Sequence, residues 1–376
     1  MIFFKKHLGI TIRLLILLSL IVTFVIFIIL KTNPDIAEQW SKTFVQGYIV
    51  VAATITKPIP LSLLEIFGII TIITLIVLLV FTIIHLFKKR FIKSLTAFLN
   101  ICLVVFTVLT AYQVTAEMMY NRKPVDVPLY QNWVEKEHFK EVINYFIDDL
   151  NDCCNHLSFL ENGDIETPDI NELNNKIVKE YEKFNSSYLF NYSTNAKPMY
   201  LTSWLYTEFH ITGVTFIPLG EANINILNVN AGKPFTLAHE LAHTKGAMRE
   251  EDADLVASYI TLHSDDYYLR YSGYYYTIGS LLALANYTGV EGDYAALYSR
   301  IDSKFKNNVS FNNKYWKEHN KASDFANWVN NLYLQLSGQK DGTSSYGDSP
   351  IIIDPTKKEI KSFSNYQKLY FDIFYN

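Results

Sequence analysis

Cysteine is scarce in this chain, and its placement excludes a disulfide framework. Of three cysteines in 376 residues, Cys102 lies in a long apolar run, and Cys153 and Cys154 are neighbours that cannot easily bridge each other. Buried apolar thiols are the expected state of the vicinal pair. Charge is also sparse, at 19% of residues against 49% hydrophobic, which excludes a disordered chain. With 15 glycines and 11 prolines, neither a collagen-like pattern nor a low-complexity tract is present. No repeat at a solenoid period occurs. A formal net charge of -4 lacks the basic excess of a dedicated nucleic-acid binder, so no nucleic-acid partner is expected.

The charge is unevenly spread. Up to Arg122 there are 11 basic and 4 acidic residues, a balance of +7; the remainder holds 22 and 33, a balance of -11. Three uncharged apolar runs occupy the basic part: Leu14 to Leu30, extended past Arg13 to Leu8, then Ile66 to Phe87 and Ser94 to Ala116. Each approaches or exceeds the roughly 20 residues that a helix needs to cross a bilayer. The first has a long, Ile-rich core with no small-residue cleavage site, unlike a signal peptide. Residues 1–121 are therefore read as a membrane anchor with spans at about 8–30, 66–87 and 94–116. Lys5, Lys6 and Arg13 precede the first span, and Lys88, Lys89, Arg90 and Lys93 separate the second from the third. By the positive-inside rule both segments face the cytoplasm, which places residues 122–376 outside it. Tyr48 to Ile55 is apolar but too short to span, and is expected at the interface or against the spans.

The acidic part reads as one domain. Asn132 to Leu150 and Asp169 to Phe184 have helical apolar spacing. Gly213 to Leu219 and Ile224 to Val229 read as short strands joined by a turn at Gly220 to Asn223, with Pro218 confining the first to an edge or an end. Phe235 to Thr244 and Glu250 to Leu262 read as helices broken at Gly246. The rest is expected to be largely helical to Gly338, followed by a polar loop from Gln339 to Gly347.

The segment Thr236-Leu237-Ala238-His239-Glu240-Leu241-Ala242-His243 contains H-E-x-x-H. Residues four apart share one helix face, so His239 and His243 can present two imidazoles to one Zn²⁺ while Glu240 stands where it can take a proton from water. A catalytic zinc normally has three protein ligands and one open position. Glu250-Glu251-Asp252-Ala253-Asp254 supplies E-x-x-A-D, which resembles the gluzincin-type peptidases; the resemblance implies Glu250 as third ligand. Asp254, one turn on, can accept the distal N–H of a ligand His and fix its tautomer. Glu251 and Asp252 would point elsewhere. The metzincin pattern H-E-x-x-H-x-x-G-x-x-H is matched through Gly246 but fails at its last position, which is Arg249.

The order of shared segments extends further. It comprises three spans, Tyr120-Asn121-Arg122 with Pro124, Gly213 to Pro218, Gly220 to Asn223, Pro234-Phe235-Thr236 and the H-E-x-x-H core. Lys245-Gly246, Arg249-Glu250, Tyr271-Ser272-Gly273, Asp341-Gly342 and Ser345-Tyr346-Gly347 follow. In that order the chain resembles a bacterial family of three-span membrane proteins of unknown function with an HExxH zinc-peptidase-like domain. Asp252 and Asp254 stand where similar sequences often have Glu and Asn. The resemblance implies three N-terminal transmembrane helices followed by a mainly α, zincin-like α+β domain with a small β-sheet. In such a fold an edge strand beside the metal pairs with an extended substrate, and Gly213 to Leu219 is the candidate. Glu221 is read as a carboxylate near the metal ligands or substrate, or as a turn residue, and Tyr271 as an oxyanion-stabilising group or a core side chain. His210 and His263 read as structural.

The expected function is a membrane-anchored zinc metallopeptidase acting on an extracytoplasmic protein or peptide, with Glu240 as general base. The second reading is a catalytically inactive sensor or binding module for a cell-envelope peptide. An intramembrane protease would need the motif within a span, and it lies outside all three. Beyond the lipid bilayer and the peptide substrate no partner is indicated, and oligomeric state is left open.

Overall fold

The computed structural model describes residues 8–287, 293–354 and 360–376; Lys5 and Lys6, used above for orientation, lie outside them. The chain divides into two compact units, Met1–Lys123 with Phe216–Glu221, and Pro124–Thr215 with Ala222–Asn376.

The first unit begins with α1 (Leu8–Leu30), α2 (Pro34–Trp40), a π-helical turn Ser41–Val45 and α3 (Gln46–Thr56). Then come α4 (Leu63–Phe87), α5 (Phe91–Val114) and α6 (Ala116–Tyr120). The helices Leu8–Leu30, Leu63–Phe87 and Phe91–Tyr120 are long and apolar enough to cross a membrane. α1 and α4 both pack on α5. Polar contacts tie them: Arg13 Nε donates to Asn100 Oδ1 at 2.7 Å, and Ser94 Oγ to the Thr82 carbonyl at 2.9 Å. The short apolar stretch after Tyr48 forms most of α3, with Ile49 and Ala53 buried.

The segment Phe216–Glu221 belongs to this unit. Phe216 stacks with Phe67 at 5.9 Å and with Tyr112 at 6.2 Å between ring centroids. Tyr48 donates its hydroxyl to the Pro218 carbonyl at 2.5 Å. Gly220 has φ 63°, and a Cβ there would come within 3.0 Å of the Ala53 backbone, so glycine meets both a left-handed turn and a close approach. Glu221 Oε2 accepts the N–H groups of Leu63 and Leu64 at 3.0 and 3.1 Å. Its carboxylate therefore caps the N-terminus of α4, where the helix dipole and two orphan donors favour an anion. That assignment replaces both roles read for it from sequence.

The second unit contains α7 (Lys136–His156), α8 (Ile170–Lys183), β1 (Lys197–Met199), α9 (Ser203–Glu208), β2 (Gly213–Phe216) and β3 (Glu221–Asn225). It continues with α10 (Lys233–Thr244), α11 (Glu250–Leu262), α12 (Tyr267–Leu282), α13 (Asp293–Ser299), α14 (Ser303–Glu318) and α15 (Ser323–Leu336). It closes with β4 (Ile352–Ile353), β5 (Ile360–Ser362) and α16 (Asn365–Tyr375). The unit is mainly helical with a three-stranded sheet, order β1-β3-β2, and the antiparallel pair β4-β5. β1 and β3 run parallel, with Pro198 opposite Ile224.

Two apolar clusters hold these elements. One joins Phe139, Phe146, Tyr274, Tyr370 and Phe371. The other joins Leu173 and Ile177 of α8, Ile224 of β3, Leu237 and Leu241 of α10 and Val256 of α11. Cys153 and Cys154 are buried in the first cluster, and burial pushes both thiols up to about 12.

Local boundaries differ from expectation for identifiable reasons. α7 starts at Lys136 because Glu135 is extended, and runs on through the cysteines. β2 ends at Phe216 where Pro218 enforces a 3₁₀ turn, and β3 begins at Glu221 rather than at Ile224. Replacing Glu221 by Ala should lower the stability of the full-length protein by about 1–2 kcal/mol, as for a lost helix cap. Thermal unfolding in detergent would check this; an unaltered midpoint would refute the capping role.

Candidate metal centre

The metal-binding candidates come from two consecutive helices and the turn between them. α10 is buried along nearly its whole length and has Pro234 in its first turn, where a missing N–H costs nothing. Its His239, Glu240 and His243 side chains face inward. Gly246 at φ 99° reverses the chain after α10. Glu250 is the first residue of α11, where three acids complement the helix N-terminus.

Each histidine has its Nδ1 committed. His239 Nδ1 is 2.7 Å from Asp254 Oδ1, and His243 Nδ1 is 2.9 Å from the Ala247 carbonyl oxygen. Both partners only accept, so each Nδ1 donates, and the neutral ring then carries its lone pair on Nε2. The two Nε2 atoms converge on Glu250 Oε2, at 3.2 Å from His239 and 3.4 Å from His243. One ligand atom from each of the three residues lies within 4.8 Å of the others. Glu250 Oε2 is buried and has no hydrogen-bond partner. Once their Nε2 positions are free of protons, the two rings and the Glu250 oxygen converge on one buried space, and such a donor set fits a metal cation.

The electrostatics agree. Burial opposes charge on His239, but the Asp254 and Glu250 carboxylates outweigh it and raise its pKa well above the ordinary value. Burial also opposes ionisation of Glu250, yet His243 and His239 pull its carboxyl down to about 2. For Glu240 burial wins and raises its pKa, against the two histidines and a hydrogen bond from Thr215.

The other acids near Glu250 point away. Glu251 is exposed, and Asp252 pairs with Arg249 Nε at 2.8 Å and accepts the Val125 N–H at 3.3 Å. Asp254 is held from both sides, since its Oδ2 accepts the Gly347 N–H at 2.6 Å.

Glu240 is fixed by β2, the edge strand of its sheet. Thr215 Oγ1 lies 2.7 Å from Glu240 Oε2 and 3.0 Å from the Glu240 carbonyl oxygen. Gly213 lies so close that a Cβ would sit 2.6 Å from Glu240 Cγ. Sequence reasoning placed both residues in the edge strand but gave neither a role.

Tyr271 is corrected. It is 0% exposed, sits among Phe159 and Phe305, and donates its hydroxyl to Asn308 Oδ1 at 3.0 Å. It is a core tyrosine with no access to a substrate. The tyrosine beside the cluster is Tyr346, 42% exposed, its ring near-parallel to that of His239 at 6.5 Å between centroids. Its loop is held by α15: Asn330 Nδ2 donates to the Tyr346 hydroxyl at 3.3 Å, and Asn331 Oδ1 accepts the Thr343 N–H at 3.0 Å. Tyr346 lies in a segment that read as a polar loop and whose Ser345-Tyr346-Gly347 is among the segments carrying the family resemblance, but it was given no role. The lone histidines are structural: His210 Nε2 is bonded to the Trp316 carbonyl, and His263 Nδ1 to that of Tyr259.

The chain belongs to the DUF3810 family, described as proteins of unknown function, whose model matches residues 40–352. No curated protein and no solved structure matches the chain.

Full-length protein titrated with zinc should take up one ion, and His239→Ala should abolish uptake. Asp254→Asn should weaken binding about 10–100-fold, as loss of a partner that orients a ligand does. Undiminished affinity in both variants would refute the site. Because His239 titrates above its ordinary pKa, protons compete for its ring as pH falls. Apparent affinity should therefore rise with pH through that elevated value, with proton release on binding, which calorimetry in buffers of different ionisation enthalpy would measure.

Proposed function

We propose that this DUF3810 protein is a membrane-anchored zinc metallopeptidase that hydrolyses peptide bonds of an extracytoplasmic protein or peptide. The observation that carries the reading is the convergence of His239 Nε2, His243 Nε2 and the unpartnered Glu250 Oε2, with Glu240 on the same helix. In this reading the second unit is zincin-like, and the basic loop Lys88 to Lys93 faces the cytoplasm.

His239, His243 and Glu250 would hold the ion, with Asp254 and the Ala247 carbonyl keeping both imidazoles in the ligating tautomer. Zinc bound there would lower the pKa of water and share the charge that develops on the scissile carbonyl oxygen. Glu240 takes the proton of the attacking water and delivers it to the leaving amine. Its raised pKa suits the second half of that task, and the Thr215 hydroxyl orients its carboxylate. The exposed edge of β2 offers backbone groups for an extended substrate beside Glu240. Tyr346, protonated at neutral pH and open to solvent beside His239, takes the oxyanion-donor role that Tyr271 cannot fill.

Glu240→Gln should retain zinc and abolish hydrolysis of a generic peptide library by the full-length protein in detergent. Tyr346→Phe should lower kcat about 10²–10³-fold, the loss typical of a removed oxyanion donor, with zinc affinity unchanged. Tyr271→Phe should leave kcat alone. Hydrolysis surviving in zinc-loaded Glu240→Gln would sink the mechanism. A parent protein that binds zinc, binds peptide and cleaves none would favour a binding module.

A further inference from the structure

α15 turns only Ser323 and Leu334 fully into the domain. Phe325, Trp328, Val329, Leu332 and Leu336 follow one another at helical spacing and are 63, 62, 43, 45 and 72% exposed. At 100° per residue they form one stripe centred opposite Ser323 and Leu334, facing away from the domain. Asp324 is the only charged residue in the helix and lies off the stripe. A second exposed apolar group, Tyr200, Leu201 and Trp204, lies at the start of α9. The far end of α9 is bonded to the segment leading into α15. The Glu208 carbonyl accepts the Ala322 N–H at 3.3 Å, and the Glu208 carboxylate pairs with His319 at 3.1 Å and Lys321 at 3.5 Å.

Five large apolar side chains in one exposed stripe call for an occupant. The chain carries its own. Three of its helices are long and apolar enough to cross a bilayer, the third ends at Tyr120, and the second unit begins at Pro124. A unit tethered that closely has a lipid surface as its permanent neighbour. The stripe matches that neighbour in chemistry: Trp and Phe favour the headgroup boundary, Leu and Val the acyl chains, and no charge need be dragged beneath them.

We propose that the apolar stripe of α15 lies in the headgroup–acyl boundary of the membrane that the chain spans. The inference goes beyond the hydrolytic function and does not depend on it. Its consequence touches the site, because Asn330 and Asn331 on another side of the same helix hold the Tyr346 loop. Docking would fix the rim of the metal cluster against the lipid surface.

The test uses full-length protein in liposomes with Cys102 replaced by Ala. Cys153 and Cys154 are buried with thiols pushed up to about 12, so a label added to Leu332→Cys or Asn327→Cys reports one position. Position 327 lies on the polar side of α15 and serves as control. The label at 332 should emit at shorter wavelength and be quenched several-fold more by acyl-brominated lipid than the label at 327, and iodide should show the reverse order. Phe325→Cys should behave like Leu332→Cys, which guards against a local effect of one substitution. Equal iodide access at 325, 327 and 332 would overturn the proposal. So would cross-linking between copies through position 332 without acyl quenching, which would assign the stripe to a second copy.

Discussion

A buried carboxylate oxygen without a hydrogen bond, facing two imidazole nitrogens, sets the constraint around which the second unit is arranged. Burial opposes the charge on Glu250, and His243 and His239 offset it enough to pull the carboxyl down to about 2; a cation between them would add to that compensation. Around Glu250 the neighbouring polar groups are spoken for: His239 by Asp254, His243 by the Ala247 carbonyl, Glu240 by Thr215. The oxygen left over is the one between the two ring nitrogens. That arrangement makes His239, His243 and Glu250 a group that could hold a metal ion.

The local backbone follows from the same need. His239 and His243 lie a turn apart on one helix, and Glu250 reaches them from the next, so the chain reverses within a few residues of His243. Gly246 at φ 99° permits the reversal, and the carbonyl one residue later receives the His243 N–H. The turn therefore both redirects the chain and fixes a tautomer. α11 then opens at Glu250, with Asp254 one turn along the same face, so a single helix start supplies one member of the cluster and the partner of another. The acids between them differ in fate because a helix disperses them: Glu251 meets water and Asp252 meets Arg249.

Much of this was legible in the sequence because it depends on short-range periodicity. Spacing of four put His239 and His243 together, α11 begins and ends where its residues implied, and the long apolar runs became helices of nearly the expected extent. What escaped was contact between segments far apart in the chain. The shared segment Ser345-Tyr346-Gly347 marked Tyr346 but not its place, and only the packing of residues 341–347 on α15 and against Asp254 brings it to His239. Tyr271 failed for the converse reason, since its surroundings come from segments distant in sequence, Phe159 from the loop after α7 and Phe305 and Asn308 from α14. Glu221 was misread because its partners, the N–H groups of Leu63 and Leu64, precede it by more than 150 residues.

The strand that holds the general-base candidate illustrates how little sequence can separate two duties. Thr215 is bonded to Glu240, while Phe216, the next residue, is stacked on Phe67 and Tyr112 among the apolar helices. Pro218 then ends the strand and Gly220 turns it, which confines the detour into the first unit to Phe216–Glu221. β2 lies at an edge of the three-stranded sheet, and an edge is what a backbone-pairing ligand requires.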